Sequence, residues 1–582
     1  MGSKNLTSSK AHELSEPKSS SRRPRLDCAA AANDFTALNS TRRSEHPRMQ
    51  TKQINPVRNH AVKPALGWLA CAFLVLATAP GVLAQSGTWT NLVGGNASGS
   101  WATAVNWNNS VIASGADNTA DFSTLDITTN AVVTLDGART IGNVIFGDTT
   151  PSTNWILATG SAGPLTLAVT AGSPTLTANN GSNLITAVLT GVSGVTKAGS
   201  GTLRLNTANP NLQNLVLINA GILQIGNATA IGTNGNHTAN DRVICTNSGT
   251  IEIINTIQPN NKHLTLLGAG VGGTQGALYA NSTSGSTRWG LSSLNGTGAS
   301  GNSSASFPAI SLLGDATIRI DGDTIGNPTA NFAIGHISGT NNTLTKTGGG
   351  RLSLDRGVSG ITNVVVQAGG WMPNSASGFG SVQYYTVASG AAIVNNQNTC
   401  FSASASIVLN AGSLFDVYNR TDVQTYTQNI GYLSGTGLLT HGMRAGGTGT
   451  TTLVIQGSDS NSVFNGPVTV TNGTFNITKN GTATLSLGGT NNYNGATTIN
   501  AGTLLVNGQH TGGNTYTVAS GATLGGKGVI IPAISLSGIL RAGDNGGTLT
   551  VSNLTGAGDV YVTNANLTVL AQLNTSGSGS LN

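Results

Sequence analysis

The densest group of side chains able to do acid–base or metal chemistry is Asp315, Arg319, Asp321 and Asp323, in GDATIRIDGD. All four positions are odd, so an unbroken strand would turn them to one face and Ile318 and Ile320 to the other. Carboxylates beside an arginine suit calcium-assisted proton abstraction from an acidic polysaccharide, and a widely spaced carboxylate pair suits glycoside cleavage. The competing reading makes Asp321-Gly322-Asp323 a turn and leaves the other charges solvated, and the absence of further carboxylates nearby favours it. Elsewhere reactive groups are sparse. After residue 84 there is one glutamate, Glu252, and the five histidines are scattered between His237 and His510. There is no serine elbow, His-Glu-x-x-His, phosphate loop or Cys-x-x-Cys. Cys245 and Cys400 are too few for a zinc site and read as small buried residues, with one bridge allowed in an oxidising compartment. The expectation is a chain with no catalytic residues, metal or cofactor of its own.

Two other residue sets could make contacts. Lys197, Lys346 and Lys479 follow an apolar-Thr pair in VTKAGSGTLRL (195–205), LTKTGGGRLSL (344–354) and ITKNGTATLSL (477–487). They could form a basic stripe for an acidic polysaccharide. The step from Lys197 to Lys346 is longer than that from Lys346 to Lys479, however, so the favoured reading is solubilising lysines on strands that would otherwise aggregate. Trp89, Trp101 and Trp107 lie close together near the start of the body. Indoles on an exposed strand face stack on sugar rings, whereas indoles packed over a first turn close an open hydrophobic end, and the second use is expected here.

The elements that must carry these residues are strands. After Gln85 no segment has a helical period; VVTLDG, TLRLN, LVLINAGILQIG, ATIRIDG, TTLVIQG and TLLVNG alternate apolar residues with Thr, Asn or Ser and are cut by glycine turns. Each lysine motif is followed at a nearly constant distance by an Ala-Gly turn: Lys197 by Gly221, Lys346 by Gly369 and Lys479 by Gly502. In addition, FNGPVTVTNGTF (464–475) overlays YNGATTINAGTL (493–504) without a gap. Units this small cannot bury an apolar face alone and must stack. The predicted fold is an all-β, right-handed parallel β-helix, a β-solenoid of glycine-rich repeats, with roughly 20 rungs of about 25 residues each; a β-sandwich array is the competitor.

Composition agrees. Of 582 residues 80 are glycine, 8% are charged and 5% aromatic, which excludes a coiled coil, collagen and a charged disordered chain. The formal charge of +6 comes from 27 Lys and Arg against 21 Asp and Glu, but 12 and 5 of these lie in residues 1–64, leaving 15 against 16 afterwards. The body therefore offers no electrostatic footprint for nucleic acid.

The pattern apolar-Thr-Lys-x-Gly-x-x-x-Leu-x-Leu, then Tyr/Phe-Asn-Gly-x-x-Thr, then Asn-Ala-Gly-Thr-Leu resembles the autotransporter-associated β-strand repeat of Gram-negative passenger domains; its best copy is residues 477–508. Residues 87–148, with GTW, GSW, NWN and VVTLDG, resemble the module often found before such repeats, and residues 539–556 the stretch that often follows. The resemblance implies an exported, adhesin-like or matrix-type β-helix at the cell surface or outer membrane, with extracellular glycans or surface proteins as partners. A polysaccharide lyase, glycoside hydrolase or glycan-binding protein is the alternative. The expected domains are a basic leader (1–64), a signal-peptide apolar segment (65–84), a tryptophan-containing cap (85–150) and the β-helix (151–582). Val82-Leu83-Ala84 precedes a cleavage point between Ala84 and Gln85, and Met49 would give the leader an ordinary length. A membrane association is expected only through the signal segment or a C-terminal part outside this chain, because residues 330–582 continue the Gly/Thr/Asn repeat where a translocator would show amphipathic strands.

Overall fold

The computed structural model describes residues 84–233, 242–254, 257, 262–281, 287–289, 309–322, 332–376, 378–543 and 546–575. The leader, the apolar segment up to residue 83, Met49, His237 and Asp323 lie outside the described residues. Among those described, the only helical elements are three short 3-10 turns, and none is long and apolar enough to cross a membrane. Strand pairing between successive turns is parallel throughout, and the chain winds into a β-solenoid of about 18 turns.

Inward-facing side chains stack from turn to turn. One ladder runs Leu176, Lys197, Ile218, Cys245, Leu266; a second runs Leu203, Leu223, Ile251, Leu278, Ile318, Lys346 and Val366. A third, in a separate sheet, runs Ile455, Lys479, Ile499, Val518 and Leu536. The apolar members are buried in one continuous core. Period-2 alternation produces this arrangement: Val195, Leu203 and Leu205 point in while Thr196 and Arg204 point out, each strand leaving polar groups to water.

Turn length is less regular than expected. Leu176, Lys197 and Ile218 stack at equal steps in the sequence. The step from Leu524 to Leu540 is shorter, and that from Leu266 to Leu312 is more than twice as long as the first two. The gapless repeat of 464–475 and 493–504 is not the turn either. Val468 bridges Leu439 and Asn491, whereas its counterpart Thr497 pairs with Ile477 and Tyr516. The two copies therefore sit at different places around the solenoid, because corner lengths, not the repeat, set the register.

Trp89, Trp101 and Trp107 are at most 2% exposed. Their ring centroids lie 5.1–5.6 Å from one another or from Phe122. Each indole N–H donates to a carbonyl, of Ala97, Ala113 and Trp101 respectively. They fill the interior of the first described turns, so the sugar-stacking use of these indoles is overturned. Gln85 exchanges backbone hydrogen bonds with Ser114, at 2.7 and 2.9 Å.

Candidate functional site

Two charged features from the sequence change meaning in the structure. In the acidic group, Ile318 and Ile320 are buried and Arg319 faces out, as the alternation requires. The strand Ile310–Ile320 is continuous, although its pairing register with the next turn shifts between Ser311 and Ala316, and the exposed Asp315 accepts the Thr343 amide at 2.8 Å. Arg319 pairs with Asp321 through Nε (2.8 Å) and a second nitrogen (2.7 Å), lies 5.0 Å over the Tyr279 ring, and donates to Gln275 at 3.3 Å. The arginine is held above its ordinary range by the Asp321 hydrogen bond. These groups are engaged with one another or with backbone, so the described part of the cluster is built like a surface clasp. Among the described residues, no three His, Cys, Asp or Glu side chains are grouped closely enough to hold a metal ion.

The lysines are not on the surface. Lys197, Lys346 and Lys479 are at most 2% exposed and occupy inward ladder positions between leucine, isoleucine or valine neighbours. Both the basic stripe and the solubilising role are therefore corrected. Each aliphatic stem lies in the core and each ammonium emerges at the corner that follows its strand. Lys197 Nζ donates to the carbonyls of Ala198 (2.8 Å), Gly199 (2.8 Å) and Ala220 (2.9 Å). Lys346 Nζ donates to Thr347 (2.7 Å), Gly348 (2.9 Å) and Ala368 (3.1 Å), and Lys479 Nζ to Gly481. An ammonium has three donors, and in the first two copies three carbonyls meet them, which is what makes a buried charge tolerable. Burial pushes the amines of Lys197 and Lys479 down to about 8.

The third carbonyl in each complete set belongs to the next turn, and this explains the nearly constant lysine-to-glycine spacing. Gly221 and Gly369 follow Ala220 and Ala368 with φ of +68° and +66°. A Cβ on Gly221 would collide with the Gly199 and Gly201 carbonyl oxygens, and one on Gly369 with that of Gly350. Gly502 repeats this, with φ +67° over Gly481 and Thr482. Lysine and glycine thus form one staple: the amine gathers the carbonyls of a corner, and the glycine lets the next turn settle on it.

With this geometry in view, comparison with known proteins is specific. The Passenger-associated-transport-repeat family matches residues 195–225 and 477–506, the segments that contain the Lys197–Gly221 and Lys479–Gly502 staples. The chain is also 31% identical over 211 residues to the adhesin BmaC autotransporter of Brucella suis biovar 1 (strain 1330), a match covering 32% of this chain and 6% of that adhesin. The chain is autotransporter-passenger-like. No solved structure matches it. In this passenger-like chain the lysine and glycine of the matched segments hold corners of the stack, and the third copy, at Lys346 and Gly369, repeats the arrangement without lying in the matched segments.

Sequence reasoning missed a second buried polar system. Tyr418, His441, Phe475, Tyr493, His510 and Tyr516 form a column through successive turns, with centroid spacings of 4.8, 5.9, 6.0, 4.1 and 5.4 Å. All six are buried. Asp416, also buried, accepts hydrogen bonds from the Tyr418, Gly442 and Met443 amides and from Asn419. Burial raises its carboxyl above the usual range. Beside it Arg420 pairs with Asp422 at 2.6 Å, and the Tyr418 hydroxyl donates to Asp422. The rings recur at uneven intervals in sequence, so no period marks them.

Cys245 and Cys400 are free and buried, with both thiols pushed up to about 12, chiefly by burial. The disulfide allowed by the sequence is not formed, and neither sulfur is poised as a nucleophile. Among the described residues there are open depressions of about 350 Å³ beside Ser86, Asn109 and Asp121 and of about 430 Å³ beside Ser200, Asn247, Ser248 and Gly270. Small side chains and backbone line much of both.

Proposed function

We propose that this protein is an exported, non-enzymatic passenger-type adhesin of a Gram-negative-type envelope, a rigid stack that presents its outward strand faces to extracellular glycans or surface proteins. The observation that carries the reading is the staple: both segments matched by the passenger repeat contain a buried lysine gathering corner carbonyls and a positive-φ glycine, and in 195–225 the Lys197 amine also reaches the next turn. The 31% identity over 211 residues with a protein named an adhesin supports the adhesive part. Because that match spans 6% of the adhesin's length, the activity of the whole relative is not carried over.

A cleft enzyme concentrates perturbed acids and bases around an accessible hollow. Here most of the strongly perturbed described groups are buried lysines, tyrosines, histidines and thiols in the core, the accessible Asp136 is lowered by hydrogen bonds from Ser100, Thr134 and Ser161, and the acidic group around Arg319 is consumed by pairing. The test is attachment. Cells expressing the full chain should bind host cells or extracellular matrix more than cells lacking it, with the purified protein competing. Equal attachment by both strains across glycan-rich and protein-rich surfaces would overturn the adhesive reading.

A further inference from the structure

We propose that residues 416–516 form an acid-sensitive joint in the solenoid, set by the two histidines of the ring column, His441 and His510. What decides this is where an added proton would go. His441 Nδ1 lies 2.6 Å from the Asn472 carbonyl and must donate to it, so a second proton can enter only at Nε2. That nitrogen is buried with no partner. The ring is sandwiched between Tyr418 at 4.8 Å and Phe475 at 5.9 Å, and neither ring face supplies a conventional acceptor for an in-plane N–H. An N–H formed there would be a buried, unsatisfied donor on a charged ring.

His510 has more room to adapt. Its Nε2 faces the Tyr493 carbonyl (3.2 Å) and its Nδ1 the Tyr516 hydroxyl (2.7 Å). Protonation would require Tyr516 to reverse its hydroxyl, leaving Tyr493, 3.5 Å away, as a long hydrogen-bond partner. Burial holds this ring down to about 4 and His441 below its ordinary value.

The charged surroundings are specific. Around His441 the titratable groups are Asp416 on the paired strand, the Arg420–Asp422 pair reached through Tyr418, and Tyr426 beside Tyr418. Asp416 has its oxygens committed to three amides and Asn419. Around His510 the ring partners are Tyr493 and Tyr516, and the paired residues are Asn491 and Ile530. His336 is an internal comparator: its ring nitrogens meet the Arg356 carbonyl and the Ser359 hydroxyl, and a hydroxyl can accept the extra hydrogen bond.

The sign follows from linkage. Both histidines have folded values below the unfolded value near 6.5, so the folded state binds fewer protons. Their contribution to stability is complete above about pH 6.5 and is lost as pH falls from there towards the folded values. Asp416 acts in the opposite sense, since its raised carboxyl favours the protonated form in the fold. Turns contact chiefly their neighbours, so the penalty opens a local segment before the whole stack.

The experiment is hydrogen exchange of the full chain from pH 7.5 to 4.0, corrected for intrinsic rates and resolved by peptide. Peptides within 416–516 should lose protection by about tenfold to a hundredfold per pH unit once opening begins, while those at 195–225 keep theirs and those around His336, whose ring is also lowered by burial but whose Ser359 hydroxyl can accept, lose less. The His441→Phe/His510→Phe double variant, which keeps the rings and removes the titration, should shift that opening to lower pH. Uniform protection down to pH 4.0 in the unaltered protein would overturn the proposal without any variant, as would a folded double variant opening at the unaltered pH.

Discussion

At the scale of single residues, the decisive groups are charged side chains placed where an apolar one would be expected. Lys346 sits between Ile318 and Val366 in a core ladder, and its three hydrogen bonds hold a corner to the turn that follows. Lys346→Ala removes the stem and leaves three carbonyls without their donor, and should cost roughly 3 kcal/mol. Lys346→Met keeps most of the stem and should cost about half as much. Denaturation midpoints of the two variants against the parent check this, and equal, negligible shifts would mean that the ammonium holds nothing. The placement is legible in the sequence. Val195 and Lys197 are two apart, as are Leu344 and Lys346, and Ile477 and Lys479, so strict alternation puts each lysine on the inward face. Charge argues for the surface and period for the core, and a long stem satisfies both.

At the scale of elements, the strands are legible because alternation and glycine punctuation state them directly: TLRL, TLSL and TLLV are strands with leucine or valine inward. The turn-to-turn register is not. Corners range widely in length, so the two gapless copies, 464–475 and 493–504, fall on different faces. The acidic group misleads for a different reason: the strand over Ile310–Ile320 alternates as read, but its charges are taken up by the Thr343 amide, by Gln275, by the Tyr279 ring and by the Arg319–Asp321 pair. The tryptophan group is readable as packing because the first turns need large side chains to fill their interior. Trp107 touches Trp89, Trp101 and Phe122, and Trp107→Ala should remove roughly 3–5 kcal/mol from those turns. Exchange protection between residues 87 and 146 should fall while peptides beyond residue 340 stay unchanged, since turns are coupled mainly to neighbours. A uniform loss along the chain would show that the stack unfolds as one unit.

At the scale of the whole molecule, some 18 parallel turns carry a near-neutral body, three lysine–glycine staples and one column of tyrosine, histidine and phenylalanine. Such a stack exposes long outward strand faces, and its described buried ionisable groups serve the turns themselves. That division explains why function is harder to read than fold: the fold is written in repeated inward positions, whereas an adhesive surface is distributed over many short polar side chains. Displayed as a passenger, this stack would stand outside the cell. Brief protease treatment of intact cells, with mass spectrometry of the released peptides, tests this most directly. Display predicts abundant peptides from residues 85–575 and none from 1–84 before lysis. Solenoid peptides appearing only after the cells are broken would contradict it.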